Sequence, residues 1–337
     1  MTTLDFSEIK PLLSSKKKIL IVGHTNPDGD ALGSSLALYN FLKAEGFDLS
    51  IVMPTSYPDF LAWMPGQENI RIYENEKDPC DTLFNEAEVI FSMDHNKPSR
   101  LGIATKAFEE SKALKIMIDH HIDPDKKAYD LVFSTTKTTS TSELVFDFLT
   151  QYNPALINKK VAECIYVGIM TDTGSFSYAC NYEKTYRIVA ELYKLGIDGV
   201  NIHRWVYDTF SESRMRLLGY CLSEKLVVKK KLNTAYISLT IPELERFNFN
   251  PGDTEGVVNY SLAIKGIRLA ALFTEKEDKI RISFRSAGTF DVNIFARKHF
   301  NGGGHKNAAG GDSLLPMDKT LERFERLLLE YKTELSE

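Results

Sequence analysis

Apolar and polar positions follow two textures along the chain. In the first half, short unbroken apolar runs are each followed by helical spacing. Residues 19–22 form a buried strand, 31–41 carry the apolar interval of a helix that closes at Gly46, and "DLSIVMP" supplies the next strand. Asp30 is the expected N-cap of that helix, behind the turn dipeptides Asn26-Pro27 and Asp28-Gly29. "EVIFSM" from Glu88 and "KIMI" from Lys115 are further buried strands, each running into a polar loop and then helical periodicity. Residues 158–170 and 182–195 read as helices, the second closed by Gly196, and 201–224 is mainly helical. Apolar strands separated by helices predict a mainly parallel sheet covered by helices.

After residue 226 the pattern changes. "KLNTAYISLTI" and "IRLAALFTEKEDKIRISFRS" are strands, the second a hairpin turning at 276–278, and 320–335 is a closing helix. The expected fold is α/β: a larger N-terminal domain over 1–195, a helical connector over 196–226, and a smaller C-terminal α+β domain over 227–337. A length of 337 residues agrees, since single cores seldom grow so large.

Composition narrows the function classes. At 43% hydrophobic and 26% charged the chain is an ordinary globular one, with no low-complexity tract. Its apolar runs are too short to span a bilayer and its first twenty residues lack a signal-peptide pattern, so a cytoplasmic location without membrane contact is expected. Cys80, Cys164, Cys180 and Cys221 are scattered, which predicts reduced, buried thiols rather than a zinc knuckle or disulfide framework. A net charge of -5 disfavours a stable complex with long nucleic acid. The runs Lys16 to Lys18 and Lys229 to Lys231 are read as solvated strand flanks. A homodimer is compatible with all of this.

The candidate chemistry lies where the apolar strands end. Strand 19–22 leads to His24, Asp28 and Asp30; "EVIFSM" ends in Asp94-His95; "KIMI" ends in Asp119-His120-His121. Parallel strands place their carboxyl ends on one edge, where ligands of open α/β sheets bind, so His24, Asp28, Asp30, Asp94 and His120 can converge. Asp172 follows the helix over 158–170 and is a sixth candidate. Four aspartates and two imidazoles repel one another unless cations neutralise them. Oxygen and imidazole donors without thiolate favour two divalent ions, manganese first, with magnesium, iron or cobalt as alternatives, over structural zinc. Such a pair activates water and stabilises the attacking and leaving oxygens of a displacement at phosphorus.

The motifs "HTNPDGD", "MDHN", "IDHHID" and "TDTGSF" resemble, in order and spacing, the successive motifs of the DHH phosphoesterase superfamily, and the later "ISFRS" and "NGGGHKNAAGG" resemble its associated substrate domain in NrnA-type oligoribonucleases, also described as phosphatases of 3'-phosphoadenosine 5'-phosphate. The resemblance implies one ion held by His24, Asp28 and Asp94, and another by Asp30, Asp94, His120 and Asp172, with Asp94 as the bridge. It also implies that His121 contacts the scissile phosphate while Asp119 orients its neighbours; His95 has no settled role. On residue type alone, Gly302-Gly303-Gly304 is a flexible loop; the resemblance makes Gly303, Gly304, His305 and Arg285 a grip on the substrate. Arg100 in "DHNKPSRLG" either reaches substrate or pairs with a surface acid. The expected activity is hydrolysis of short oligoribonucleotides or a bisphosphorylated nucleotide. Cyclic or linear dinucleotides are the alternative substrates, and a non-catalytic nucleotide or metal sensor is the alternative of another class.

Overall fold

The computed structural model describes residues 4–336 apart from 14–16, 178–179, 181 and 251, so Lys16 of the first basic run lies outside the described residues. The chain divides into two compact units, Met1–Thr209 and Phe210–Glu337.

In the first unit the elements run α1 (Ile9–Leu12), β1 (Lys18–Val22), α2 (Gly29–Ala44), β2 (Asp48–Met53), β3 (Ile70–Ile72), α3 (Lys77–Glu86), β4 (Val89–Met93), α4 (Thr105–Glu110), β5 (Leu114–Asp119), β6 (Leu131–Ser134), α5 (Thr141–Tyr152), α6 (Lys159–Asp172), α7 (Glu183–Lys194) and α8 (Gly199–Tyr207). The sheet is entirely parallel, in the order β3-β2-β1-β4-β5-β6. Its central strands are mainly apolar because both faces are covered. Ile19, Ile21, Val89, Phe91, Ile116 and Ile118 pack beneath α2, α5 and α6 side chains such as Leu36, Phe148 and Ile165. The alternate residues Leu20, Val22, Ile90 and Met117 pack against Phe84 of α3 and Phe108 of α4. The two-residue period of a strand thus sorts one apolar run into two cores.

α2 is buried along nearly its whole length, consistent with a helix apolar on all sides. Its approach to α6 depends on small residues: a Cβ on Gly33 would lie 2.6 Å from the Cys164 carbonyl and 2.9 Å from the Gly168 nitrogen.

The second unit comprises α9 (Glu212–Tyr220), β7 (Val227–Lys229), β8 (Thr234–Leu239), α10 (Ile241–Arg246), α11 (Val257–Leu262), β9 (Leu269–Glu275), β10 (Ile280–Ser286), α12 (Val292–His299), β11 (Gly303–His305), β12 (Ala308–Ser313) and α13 (Met317–Glu330). Its mixed sheet has the order β11-β12-β10-β9-β8-β7, antiparallel except between β8 and β9. Phe273, Ile282 and Phe284 face Phe295 and Phe324 from α12 and α13, and Ala270 and Leu272 face Leu244 and Val257 on the other side.

Residues 201–224 are not one helix. The chain breaks after α8 and restarts where Ser211 accepts the Arg214 N–H at 3.0 Å, and α9 runs into a π turn over Cys221–Lys225. All four cysteines are buried and unbridged. Among the described residues no helix is long and apolar enough to cross a membrane.

Candidate metal centre

The strand order reverses between β1 and β4, and the ends of these neighbouring strands frame the crevice where open α/β sheets bind ligands. His24 lies just past β1, Asp94 directly follows β4, and Asp119 closes β5 ahead of His120 and His121. Asp172 is the last residue of α6.

The cap of α2 differs from the sequence expectation. Asp28, not Asp30, is the N-cap, and its Oδ1 accepts the N–H groups of Asp30 and Ala31, each at 3.0 Å. The helix therefore starts at Gly29, where a Cβ would come within 2.3 Å of the Thr171 hydroxyl. This shift leaves the Asp30 side chain unused by the cap, 1% exposed inside the unit. There Asp30 Oδ2 accepts the Thr141 N–H at 2.6 Å and Oδ1 accepts the Ser142 N–H at 2.9 Å. Asp94 adopts a left-handed backbone at φ 61°, a conformation that short polar residues tolerate best. Its N–H still donates to the Ile118 carbonyl at 3.0 Å.

The structure brings the six expected donors into two neighbouring groups. His24, Asp28 and Asp94 form one, and Asp30, His120 and Asp172 the other, each able to offer atoms mutually within 4.8 Å. Asp94 faces both: its Oδ2 is 3.5 Å from His24 Nε2 and its Oδ1 is 3.5 Å from His120 Nε2. His120 Nε2 is also 3.4 Å from Asp172 Oδ2 and 3.8 Å from Asp30 Oδ2, while His24 Nε2 is 3.9 Å from Asp28 Oδ1. The other nitrogen of His24 lies 2.9 Å from the Thr25 carbonyl; donating its hydrogen there leaves Nε2 as an acceptor toward the carboxylates. Nitrogen and oxygen lone pairs facing one another at such distances suit a cation between them. The donors are oxygen and imidazole only, which fits manganese or magnesium better than a thiolate-seeking metal.

Asp119 is fully buried and holds His121: its Oδ2 accepts the His121 backbone N–H at 2.9 Å and its Oδ1 lies 2.7 Å from the ring Nδ1. His95 is also fully buried, with Nδ1 2.9 Å from the Met93 carbonyl. Arg100 is exposed, but its carbonyl accepts the Thr25 N–H at 2.8 Å and its charge acts on His24, Asp28 and Asp94. It therefore belongs to the rim of the centre.

Electrostatics describe a strained metal-free cluster. Burial, with the charge of Asp94 beside it, raises the Asp30 carboxyl to about 7. Burial and the charges of Asp28 and Asp119 push Asp94 well above the ordinary carboxylate range. Half-exposed Asp28 is the exception: desolvation opposes its charge, but His24, the Ala31 N–H and His121 outweigh that and hold it low. Burial lowers His24 and His121 and brings His95 to about 4.

Lowered histidines cost stability in acid, and that cost fades as pH rises through about 6.5 and is nearly gone by about pH 7.5. Raised carboxyls stabilise at low pH and lose that contribution as pH rises through their folded values. Between about pH 7.5 and 9 the second effect dominates, so the metal-free protein is expected to lose about 1 kcal/mol or more. Melting in chelator at the two ends of that window checks it, and saturating Mn2+ should remove the decline. A rise in metal-free stability would reject the account.

Gly168 forms part of the wall. A Cβ there would lie 1.9 Å from Ser142 Oγ and 2.7 Å from Asp30 Oδ1. Gly168→Ala should therefore displace Asp30 and cost about 1–3 kcal/mol by overpacking. Calorimetry should show weakened Mn2+ binding; unchanged binding would mean that Asp30 does not need this wall.

In the second unit the glycine cluster is not a flexible loop. Gly303–His305 is an edge strand paired with β12, which approaches so closely that a Cβ on Gly302 would lie 2.0 Å from the Gly310 carbonyl. Gly304, at φ 147°, would place a Cβ 2.5 Å from the Ala308 carbonyl, and its N–H donates to Asn293 Oδ1 at 3.0 Å. Arg285 and His305 both pair with Ala308, from opposite sides. They stand on one face of the sheet, roughly 10 Å apart at two strand spacings.

Thr141 and Ser142 were not anticipated as parts of the centre. Both act on Asp30 through backbone N–H groups, and Thr141 Oγ1 donates to Asp94 Oδ1 at 2.8 Å. The available signal was the Ser140-x-x-Glu143 pattern of a capped helix, in which Ser140 Oγ accepts the Glu143 N–H at 3.2 Å.

Residues 18–169 match the model of the DHH family, N-terminal domain, and residues 231–336 that of the DHHA1 domain. A Streptococcus mutans protein named "Probable bifunctional oligoribonuclease and PAP phosphatase NrnA" is 31% identical over 310 residues, covering 91% of this chain and 93% of the relative. The cyclic-di-AMP phosphodiesterase GdpP of Bacillus subtilis is 27% identical over 96% of this chain, which spans 49% of that protein. The crystal structure of an exopolyphosphatase-related protein from Bacteroides fragilis superposes with a TM-score of 0.94 at 42% identity, covering 98% of this chain and 97% of that one. With both domain matches in sequence order and this similarity over nearly its whole length, the chain belongs to the DHH family and carries a DHHA1 domain behind its N-terminal DHH domain.

Proposed function

We propose that this protein is a metal-dependent phosphoesterase that hydrolyses short oligoribonucleotides to nucleoside monophosphates and 3'-phosphoadenosine 5'-phosphate to AMP. The single observation that carries the reading is Asp94, whose two oxygens face His24 and His120 at 3.5 Å each. The NrnA-named relative supports the choice of substrates.

In this reading His24, Asp28 and Asp94 hold one manganese ion and Asp30, Asp94, His120 and Asp172 the other. When bound, the two cations activate water and neutralise charge that develops at phosphorus. The chain's residues do the rest. Asp119 orients the His121 ring through Nδ1, and His121 contacts a non-bridging oxygen of the scissile phosphate. Arg100 contributes positive charge at the rim. Residues 1–195 carry the hydrolytic groups and 196–226 connect them to 227–337. There Arg285 and His305 take a second phosphate, with Gly303 and Gly304 keeping the edge strand close beside it while the Gly304 N–H stays on Asn293 Oδ1. A cytoplasmic location suits such substrates.

Cleavage of cyclic dinucleotides or their linear products is the second reading, favoured by the GdpP similarity. Rates with Mn2+ on a diribonucleotide, adenosine 3',5'-bisphosphate, a cyclic dinucleotide and pyrophosphate separate them. Faster hydrolysis of the first two is expected. Preference for the cyclic dinucleotide would favour the alternative, and no hydrolysis at all would favour a sensor.

A further inference from the structure

Asp30 and Asp94 come from different parts of the sheet edge, yet both are tied to the first turn of α5. The Thr141 and Ser142 N–H groups occupy one lone pair on each oxygen of Asp30, at 2.6 and 2.9 Å. The Thr141 hydroxyl occupies one on Asp94 Oδ1, at 2.8 Å. Thr141 and Ser142 are both fully buried, and Ser140 and Glu143 anchor the turn. Glu143 is itself held by the hydroxyls of Thr139 and Thr185 at 2.8 and 2.9 Å and by Lys184 at 3.2 Å. The turn is therefore a fixed bracket for two carboxylates.

We infer that Thr141 is a positioning residue that sets the separation and orientation of Asp30 and Asp94, and so decides whether the centre takes two ions or one. Its N–H directs Asp30 and its hydroxyl directs Asp94, so one residue references both carboxylates to the same helix turn. With its lone pair toward Thr141 engaged, Asp94 Oδ1 lies 3.5 Å from His120 Nε2 and 3.8 Å from His121 Nδ1, which is held closer by Asp119, while Oδ2 faces His24. Without the hydroxyl the carboxylate can rotate and give both oxygens to one cation. The backbone donors to Asp30 persist in any variant, so a side-chain change tests the Asp94 half alone. The inference rests on the two-ion reading of this centre.

The test is Mn2+ titration by calorimetry and electron paramagnetic resonance on wild type, Thr141→Val and Thr141→Ser. Wild type should bind two ions with an exchange-coupled spectrum. Thr141→Val should retain one ion, weaken the other by about tenfold or more, and give an isolated-ion spectrum; Thr141→Ser, which keeps the hydroxyl, should restore coupling. A structural role alone would lower the melting temperature in chelator without altering stoichiometry. Thr141→Val equal to wild type, or Thr141→Ser as weak as Thr141→Val, overturns the inference and leaves the two-ion reading standing. A wild type that binds fewer than two ions overturns both. Should Thr141→Val not melt cooperatively, Thr141→Cys, with a poorer donor of similar volume, takes its place with the same outcomes.

Discussion

Asp94→Asn is expected to lower kcat at saturating Mn2+ by about a thousandfold or more, equivalent to ~4 kcal/mol of lost transition-state stabilisation. A neutral amide offers one oxygen acceptor and cannot draw two cations together. Here that oxygen has to serve His24's side or His120's side, each 3.5 Å away, and not both. Folding should survive, because burial and the acidic neighbours of Asp94 already oppose its charge. Removing it relieves repulsion in the metal-free protein. The melting temperature in chelator should hold or rise, and its decline toward about pH 9 should flatten. Retention of more than about a tenth of wild-type kcat would show that Asp94 is not shared.

The Arg285→Ala, His305→Ala double variant should leave Mn2+ binding intact and reduce kcat/KM by about a hundredfold or more, as expected for the loss of two charge-assisted contacts to phosphate. Both residues stand opposite Ala308 on one face of the second sheet, so a phosphate between them can engage both. If that contact also aligns the scissile phosphate, kcat falls with it. A ladder of oligonucleotides from two to about two dozen residues probes the same grip, since the upper end exceeds common single-strand site sizes. Rates should decline with length in wild type. Normal kinetics in the double variant together with a flat length profile would remove the grip from the account.

The legible parts of the molecule were those in which residue type and position carry the same signal. β1, β4 and β5 are mainly apolar runs that lead into His, Asp or both, so strand and ligand candidates are visible together. The bracket at α5 was not, because Thr141 and Ser142 act on Asp30 through amides that every residue except proline possesses. The cap of α2 was misplaced by two positions, since Asp28 and Asp30 are equally good caps by type. The space beside Gly29, filled by Thr171, is a tertiary fact. β11 lacked any apolar alternation, and its strand character arises from close pairing with β12 that only glycine permits. Arg285 and His305 lie twenty residues apart in sequence, and only the register on Ala308 puts them on one face.

The most direct test of two-ion phosphoester hydrolysis is the rate on a diribonucleotide as metal-stripped protein is titrated with Mn2+, with bound metal measured in parallel. The account predicts no turnover in chelator, little at one bound equivalent, and full activity only as the second site fills. Hydrolysis in chelator, or full activity at a single bound ion, would contradict it.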